Sequence, residues 1–352
     1  MNPTAPGSRI STQLRRRKRS TEAGATEGFC GDSTGRGASD EASRLRRLDG
    51  SPLSARKISS RPRRSAIRIV AELKRAFTAR GYEVAGFERT QVDITDAARV
   101  EQALAQYDPA LVLNAAAYNQ VDVAESEPQA AFLINALAVR NLSVACRQVD
   151  ARLVHFSTDY VFDGLAMRAY TEADPTHPLG AYAVSKLAGE LYASAYLDRP
   201  LIIRTSGVYG PGGLETARGN FVELMLRLAA QDQPIRVVED HVASPTFAPE
   251  LASRIADLVE RGESGVFHAG GGTPISWFDW AVKIFDAAGV KPALKPTNER
   301  EFRTAARRPK YSALSNAKME SRGIAPMPSL DAAIRVYLDA RNRKLAAAGV
   351  RS

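Results

Sequence analysis

The sequence predicts an α/β fold, a doubly wound parallel sheet carrying a smaller C-terminal lobe. Short apolar runs alternate with amphipathic stretches between residues 70 and 205. The runs are apolar throughout, as in strands covered on both faces. Polar clusters follow several of them directly, at the edge where open α/β sheets bind ligands.

Residues 1–66 stand outside that rhythm. They are rich in Arg, Ser, Gly and Thr, with almost no aromatic residue and no periodic apolar face. Such a composition cannot repay the entropy of ordering, so the expectation is a disordered basic segment. Val70, Leu73 and Phe77 then space an amphipathic helix over 70–80, closed by Gly81. Residues 82–87 read as a strand. A helix at 97–107 leads to a buried strand at 110–114, a helix over 127–149 to a strand at 153–157, and a helix at 181–195 to a strand at 201–205. After Gly210 the pattern loosens into Gly- and Pro-marked loops and a helix at 221–230. The expected division is a sheet core over 67–210, a lobe over 211–342 with elements returning to the core, and a tail at 343–352.

The formal charge of +9 is unevenly placed. Residues 1–68 hold 16 Lys/Arg against 6 Asp/Glu, a surplus of ten, so the other 284 residues sum to −1. The folded body therefore offers no basic footprint for nucleic acid. Two cysteines, Cys30 and Cys146, make no disulfide framework and suit a reducing, cytoplasmic compartment. No run of 18 apolar residues predicts a membrane span, and the basic N-terminus lacks a secretory apolar region. His155, His177, His241 and His268 are scattered without ligand spacing, so no protein-built zinc site is expected.

Tyr182-Ala-Val-Ser-Lys186 carries the chemistry. At i and i+4 of a helix, the phenol and the ammonium share one face. A cation beside a phenol favours phenolate and lowers its usual pKa of about 10, and a positioned phenol can give a proton to a developing alkoxide. Alone, the spacing equally describes an exposed helix pair; its setting decides. The 153–157 strand runs into Ser157-Thr158-Asp159-Tyr160, where the Thr158 hydroxyl could bond a substrate carbonyl together with Tyr182. Such residues also cap helices, but no helix pattern starts promptly after Asp159. Asn114-Ala115-Ala116-Ala117 ends an earlier strand in small residues that let backbone approach a flat ring or ribose. Asp93 and Ile94 could meet an adenine.

Together these segments resemble the extended short-chain dehydrogenase/reductase family, and within it the dTDP-4-dehydrorhamnose reductases. The likeness runs from about Val70 to Arg341. It rests on 92–96, 114–118 with Val121-Asp122, 155–164, and 178–182 through Gly189-Glu190. Further matches are Arg204-Thr205-Ser206, Gly219-Asn220-Phe221, Ser244-Pro245-Thr246 and 308–312. The resemblance implies a Rossmann-like dinucleotide-binding core and a substrate-binding lobe. It implies NADPH or NADH as hydride donor, and reduction of a 4-keto group on a deoxyhexose linked to a nucleoside diphosphate. By position, Tyr182 is the proton donor, Lys186 holds the nicotinamide ribose and tunes the phenol, and Thr158 orients the carbonyl. Asp93, Ile94 and Ala115–Ala117 line the cofactor; Asp159, Val121, Gly207 and Asn220 join Thr158 around the substrate. A homodimer, with a magnesium ion at its contact, comes from the resemblance alone.

The sequence departs from that family in three places. The family opens with a strand and a Gly-x-x-Gly-x-x-Gly turn that cradles the cofactor's diphosphate; here the segment before Val70 reads Arg63-Arg64-Ser65-Ala66-Ile67-Arg68. Gly35-Arg36-Gly37 has no strand before it and no helix after it. Residues 1–65 thus read as a mis-started or frame-shifted beginning, to be tested in the other reading frames upstream of Val70. A substrate-contacting tryptophan is replaced by Gly207. Phe87-Glu88-Arg89 mixes an acid suited to a ribose diol with an arginine suited to a 2′-phosphate. Two other functions share the scaffold: a nucleotide-sugar epimerase, and a non-catalytic binding module.

Overall fold

The structure, a computed structural model, describes residues 67–215, 219–231 and 233–347. The expectations for residues 1–66, including the Gly35-Arg36-Gly37 turn and Cys30, lie outside the described residues. In chain order, α1 (Ile67–Thr78) and α2 (Ala97–Tyr107) precede β1 (Leu111–Asn114). The crossover to β2 (Arg152–Thr158) comprises α3 (Val121–Ser126), α4 (Pro128–Phe132), a π-helical turn (Leu133–Leu137) and α5 (Ala138–Gln148). α6 (Ala181–Tyr196) joins β2 to β3 (Leu201–Thr205). The chain leaves the sheet for α7 (Phe221–Ala229), β4 (Ile235–Val238) and β5 (Val242–Ala243), and returns through α8 (Ala248–Glu260) to β6 (Gly265–His268). It ends in β7 (Ile275–Ser276), α9 (Trp277–Ala288), β8 (Leu294–Thr297), α10 (Ala317–Ser321) and α11 (Leu330–Ala347). α11 thus extends into the stretch expected to be a tail.

The main sheet has the order β1-β2-β3-β6, parallel throughout. Side chains alternate across it. Val154, Leu201, Ile203 and Phe267 face α1 and α8, which contribute Leu73, Phe77, Leu251 and Ile255. Leu153 and Ile202 face the other way, against Val139 and Cys146 of α5 and Ala193 of α6. This two-sided cover makes the strands apolar throughout, as the sequence predicts. The segment after β3 builds a second core around Tyr209, Val222, Ile235, Trp280 and Tyr337. β4 pairs with β8 there, and β5 with β7.

Two expectations are corrected. The helix expected over 127–149 is interrupted by the π-helical turn, where Asn135 bonds both main-chain groups of Tyr118 (2.8 and 3.0 Å). The segment 82–87 forms no strand. Val84 packs against the α1/α8 side of the core, and Val92 and Ile94 against the opposite face with Val112. Apolar contact therefore holds the segment beside the sheet without a ladder. No strand precedes α1 among the described residues, so β1 stands at the edge. Leu111, Val112 and Leu113 are only half-buried there, whereas Leu201, Ile202 and Ile203 in β3 are fully buried.

Candidate active site

The site forms at the carboxyl ends of β2 and β3. Their register sets Thr158 beside Thr205, and Ser157 beside Arg204. β2 ends at Thr158, whose Oγ1 accepts the Tyr160 N–H (3.2 Å) and caps a short 3-10 turn over Asp159–Val161. The capping and functional readings of this cluster thus describe the same residue.

α6 brings Tyr182 and Lys186 to that corner. The Tyr182 hydroxyl lies near the Thr158 side chain, and its ring meets Tyr160 edge-on at 6.2 Å. The Lys186 ammonium donates to the Phe156 carbonyl, two residues before Thr158. Both residues thus reach the end of β2, Tyr182 near Thr158 and Lys186 on the Phe156 carbonyl. The expected tuning is absent: burial raises the phenol's pKa far above its ordinary value, and the charge of Asp159 adds to the rise. Tyr182 therefore keeps its proton at neutral pH. Burial has the opposite sign for the amine and lowers Lys186 to about 8, with Glu190 pulling back upward.

Asp159 is buried and its oxygens are occupied. Oδ1 accepts from Thr158 (3.1 Å), while Oδ2 accepts from Ser206 (2.8 Å) and Ser312 (2.5 Å). Burial raises its pKa to about 6, against those three hydroxyls. One helical turn beyond Lys186, Glu190 is bound by Arg204 (2.7–3.2 Å) and by the Ser157 hydroxyl. This ion pair ties α6 to the tips of both strands. Sequence reading passed over it, although Tyr182, Lys186 and Glu190 at i, i+4 and i+8 give the signal.

Val121, Tyr160, Leu179 and Arg307 surround Tyr182 in a narrow crevice with no room for a ligand. A C-terminal segment closes it: Asp122 accepts the Ala306 N–H (3.2 Å) and both Arg308 guanidinium nitrogens (2.7 and 3.0 Å). Val121 is thus at the site. Gly207 has φ +51°, in the left-handed region that glycine suits, and an added Cβ would meet Pro245 at 3.4 Å. Asn220 caps α7 through the Glu223 N–H (3.0 Å) and donates to Gly210 O and the Tyr337 hydroxyl. Its side chain is occupied in the second lobe and does not line the cleft.

On the cofactor side, Ala115 packs into the α1/α8 core, and the Ala116 N–H bonds Asn114 Oδ1 (3.2 Å). Ala117 is half-buried. Asn114 also donates to Nδ1 of the buried His155 (3.1 Å), whose pKa burial and Lys186 hold well below the usual range. Asp93 serves its own turn, accepting from Thr95 (2.8 and 3.0 Å) and Arg89 (2.9 Å). Burial alone would raise its pKa; these bonds hold it below the ordinary value. Ile94 packs with Val100 and Leu142. The residues present fit the nicotinamide end of a dinucleotide: a buried ammonium on a main-chain carbonyl, a phenol one turn earlier on the same helix, and a rim of small residues. For the diphosphate end, the described residues contain no glycine-rich turn leading into a helix. No group of three metal-ligating side chains occurs among the described residues.

Relatives share this architecture. The protein is 38% identical to a dTDP-4-dehydrorhamnose reductase of Streptomyces griseus over 270 residues, 75% of this chain and 87% of the relative. It is 36% identical to the spore coat polysaccharide biosynthesis protein SpsK of Bacillus subtilis over 271 residues, 77% of this chain and 93% of the relative. The crystal structure of a dTDP-4-dehydrorhamnose reductase from Bacillus anthracis in complex with NADP superposes with a TM-score of 0.74 at 34% identity, covering 78% of this chain and 96% of that one. Residues 68–343 match the family described as the RmlD substrate binding domain. The chain belongs to that family, on a Rossmann-like α/β fold.

Proposed function

We propose that the protein reduces the 4-keto group of a nucleotide-linked deoxysugar, converting dTDP-4-dehydrorhamnose to dTDP-rhamnose for polysaccharide synthesis. The observation that carries this is the placing of Tyr182, Thr158 and the buried Lys186 ammonium at one strand end. The reductases among its relatives support the substrate.

A bound NADPH or NADH supplies hydride to the carbonyl carbon. Tyr182 stands with its proton in place and gives it to the oxygen as negative charge develops there. Thr158 holds the carbonyl oxygen against Tyr182. Lys186 holds the nicotinamide ribose, and its ammonium stabilises the phenolate left behind. Ala115–Ala117, Asp93 and Ile94 line the cofactor. Val121, Asp159, Gly207 and Asn220 shape the sugar side, Asn220 by fixing the second lobe. The segment carrying Ala306 and Arg308 excludes water once the sugar is seated.

The test is loss of NADPH absorbance when dTDP-4-dehydrorhamnose is added. Interconversion of nucleotide sugars with no net consumption would instead identify an epimerase. Absence of NADPH binding in a calorimetric titration would identify a binding module, the outcome to which the missing glycine turn points. A homodimer fits the exposed apolar residues of two neighbouring helical segments, Leu133 and Leu137 beside Val184 and Leu191. The free, buried thiol of Cys146 suits a cytoplasmic setting. Magnesium enters no step of this reading.

A further inference from the structure

Large apolar side chains key most helices to their neighbours; α6 lacks them on its inner face. Its buried residues are Ala183, Ser185, Lys186, Gly189, Glu190 and Ala193. Leu187 is half-buried and packs to one side, against Val161 and Phe162. The small residues let α6 lie close to the sheet. A Cβ added at Gly189 would meet the Asn135 carbonyl oxygen at 2.2 Å and His155 Nε2 at 3.1 Å. They do not fix its register, because packed helices slide against their neighbours in small steps.

Polar side chains fix it instead. The Lys186 ammonium donates to the Phe156 carbonyl, and the next residue of β2, Ser157, donates its hydroxyl to Glu190 Oε1. Arg204 stands beside Ser157 in the β2–β3 ladder and brings Nε and Nη2 to the same carboxylate at 2.7–3.2 Å. Glu190 is 4% exposed, so water does not compete for these bonds. Side chains from α6, β2 and β3 therefore close on one point, a single helical turn from Lys186 and two from Tyr182.

We propose that Glu190 is a positioning residue: by gripping Ser157 of β2 and Arg204 of β3, it sets the register of α6 on the sheet and so places Lys186 and Tyr182 for the reaction. This rests on the reductase reading and deepens it. Glu190 touches neither cofactor nor sugar in that reading; it acts through the two residues that precede it on the same helix face. A shift of α6 by a fraction of its rise per residue would move ammonium and phenol together, and a misplacement of about 1 Å can cost on the order of 10²-fold in rate.

The test compares wild type with Glu190→Gln, which keeps the shape and loses the charge that holds Arg204, and with Ser157→Ala, which removes only the link to β2. Glu190→Gln should lower kcat roughly tenfold, and Ser157→Ala about threefold. The KM for the sugar should stay within about twofold of wild type in both, because Val121 and Gly207 on the sugar side lie outside α6. Crystal structures of the variants should show α6 displaced along β2 by about 0.5 Å or more. Ser157→Ala retains the ion pair and carries the test by itself should Glu190→Gln fail to fold. A purely structural role lowers the melting temperature and leaves kcat per folded molecule at the wild-type value. That result, or an α6 that keeps its place in both variants, overturns the proposal. A wild-type protein that oxidises no NADPH with the sugar, beside variants in which α6 is displaced, sinks the reductase reading and upholds the seating of the helix.

Discussion

The two sides of the sheet differ. On the β2/β3/β6 side, the strands pair in turn and the centre of β3 is buried. There α6 is locked to the strand tips by the Glu190–Arg204 pair, with side chains 5% and 6% exposed. On the β1 side, the edge is half-open, the segment 82–87 lies alongside without pairing, and the nearest ion pair, Arg89–Asp93, has 56% and 33% exposure. The residues proposed to handle the proton all belong to the finished side. The groups that a cofactor's far end would need belong to the other. The corner proposed for proton transfer and the segment proposed for the cofactor's far end thus depend on different strands.

The largest expected effect tests the finished side. Tyr182→Phe removes the proposed proton donor and should lower kcat by about 10²- to 10⁴-fold, the usual contribution of a positioned general acid. NADPH affinity and melting temperature should stay close to wild type. A loss under tenfold would transfer the proton role to another group.

Next comes the lock itself. Arg204→Met leaves the Glu190 carboxylate buried without its cation, and breaking one partner of a buried pair costs about 3–5 kcal/mol. Urea unfolding reads this directly; a change below about 1 kcal/mol would mean that Glu190 finds other donors.

Much of this division was legible in the sequence, for physical reasons. Buried parallel strands leave uninterrupted apolar runs, so 153–157 and 201–205 were found within a residue or so of β2 and β3. A helix face repeats at i+4, so the sequence itself pairs Tyr182 with Lys186. The segment 82–87 shows the limit: its residues have strand propensity, but a strand needs a neighbour, and pairing is a tertiary property. The phenol's ionisation was likewise misjudged, because sequence shows the neighbouring lysine and not the depth of burial. Asp159 and Glu190 were visible as residues, yet their partners Ser206, Ser312 and Arg204 come from distant segments. The π-helical turn at Asn135 has no signature in the helix pattern.

Core substitutions sharpen the comparison at intermediate size. Ile202→Ala in β3 should cost about 2–5 kcal/mol, the range for fully buried large-to-small changes. Leu113→Ala in β1 should cost roughly half as much, since Leu113 is half-buried. Amide exchange should follow the same order, with 111–114 opening before 201–205. Equal costs would show that the β1 edge is as well covered as the centre.

The cofactor's near end has its own signature in pH. Burial lowers Lys186 to about 8, so its charge disappears as pH rises through that value. The KM for NADPH should rise severalfold between pH 7.5 and about 9. Lys186→Met should show weak binding at all pH values and no such transition. A rising limb near pH 8 in that variant would assign the ionisation elsewhere.

The smallest effect is expected at Arg89–Asp93. Its N–O distance, 2.9 Å, is close to the 2.7 Å of Arg204–Glu190. Distance alone would rank the two as near equals. Water decides otherwise: an exposed pair is screened and must order long side chains, so such pairs contribute about 0.2–1 kcal/mol. Asp93 also retains its Thr95 bonds without the arginine. Arg89→Ala should therefore change unfolding free energy by less than about 1 kcal/mol, and less again at high salt. A loss comparable to that of Arg204→Met would show that the open side is buried in solution by something seated on it, and the contrast between the two sides would then be lost.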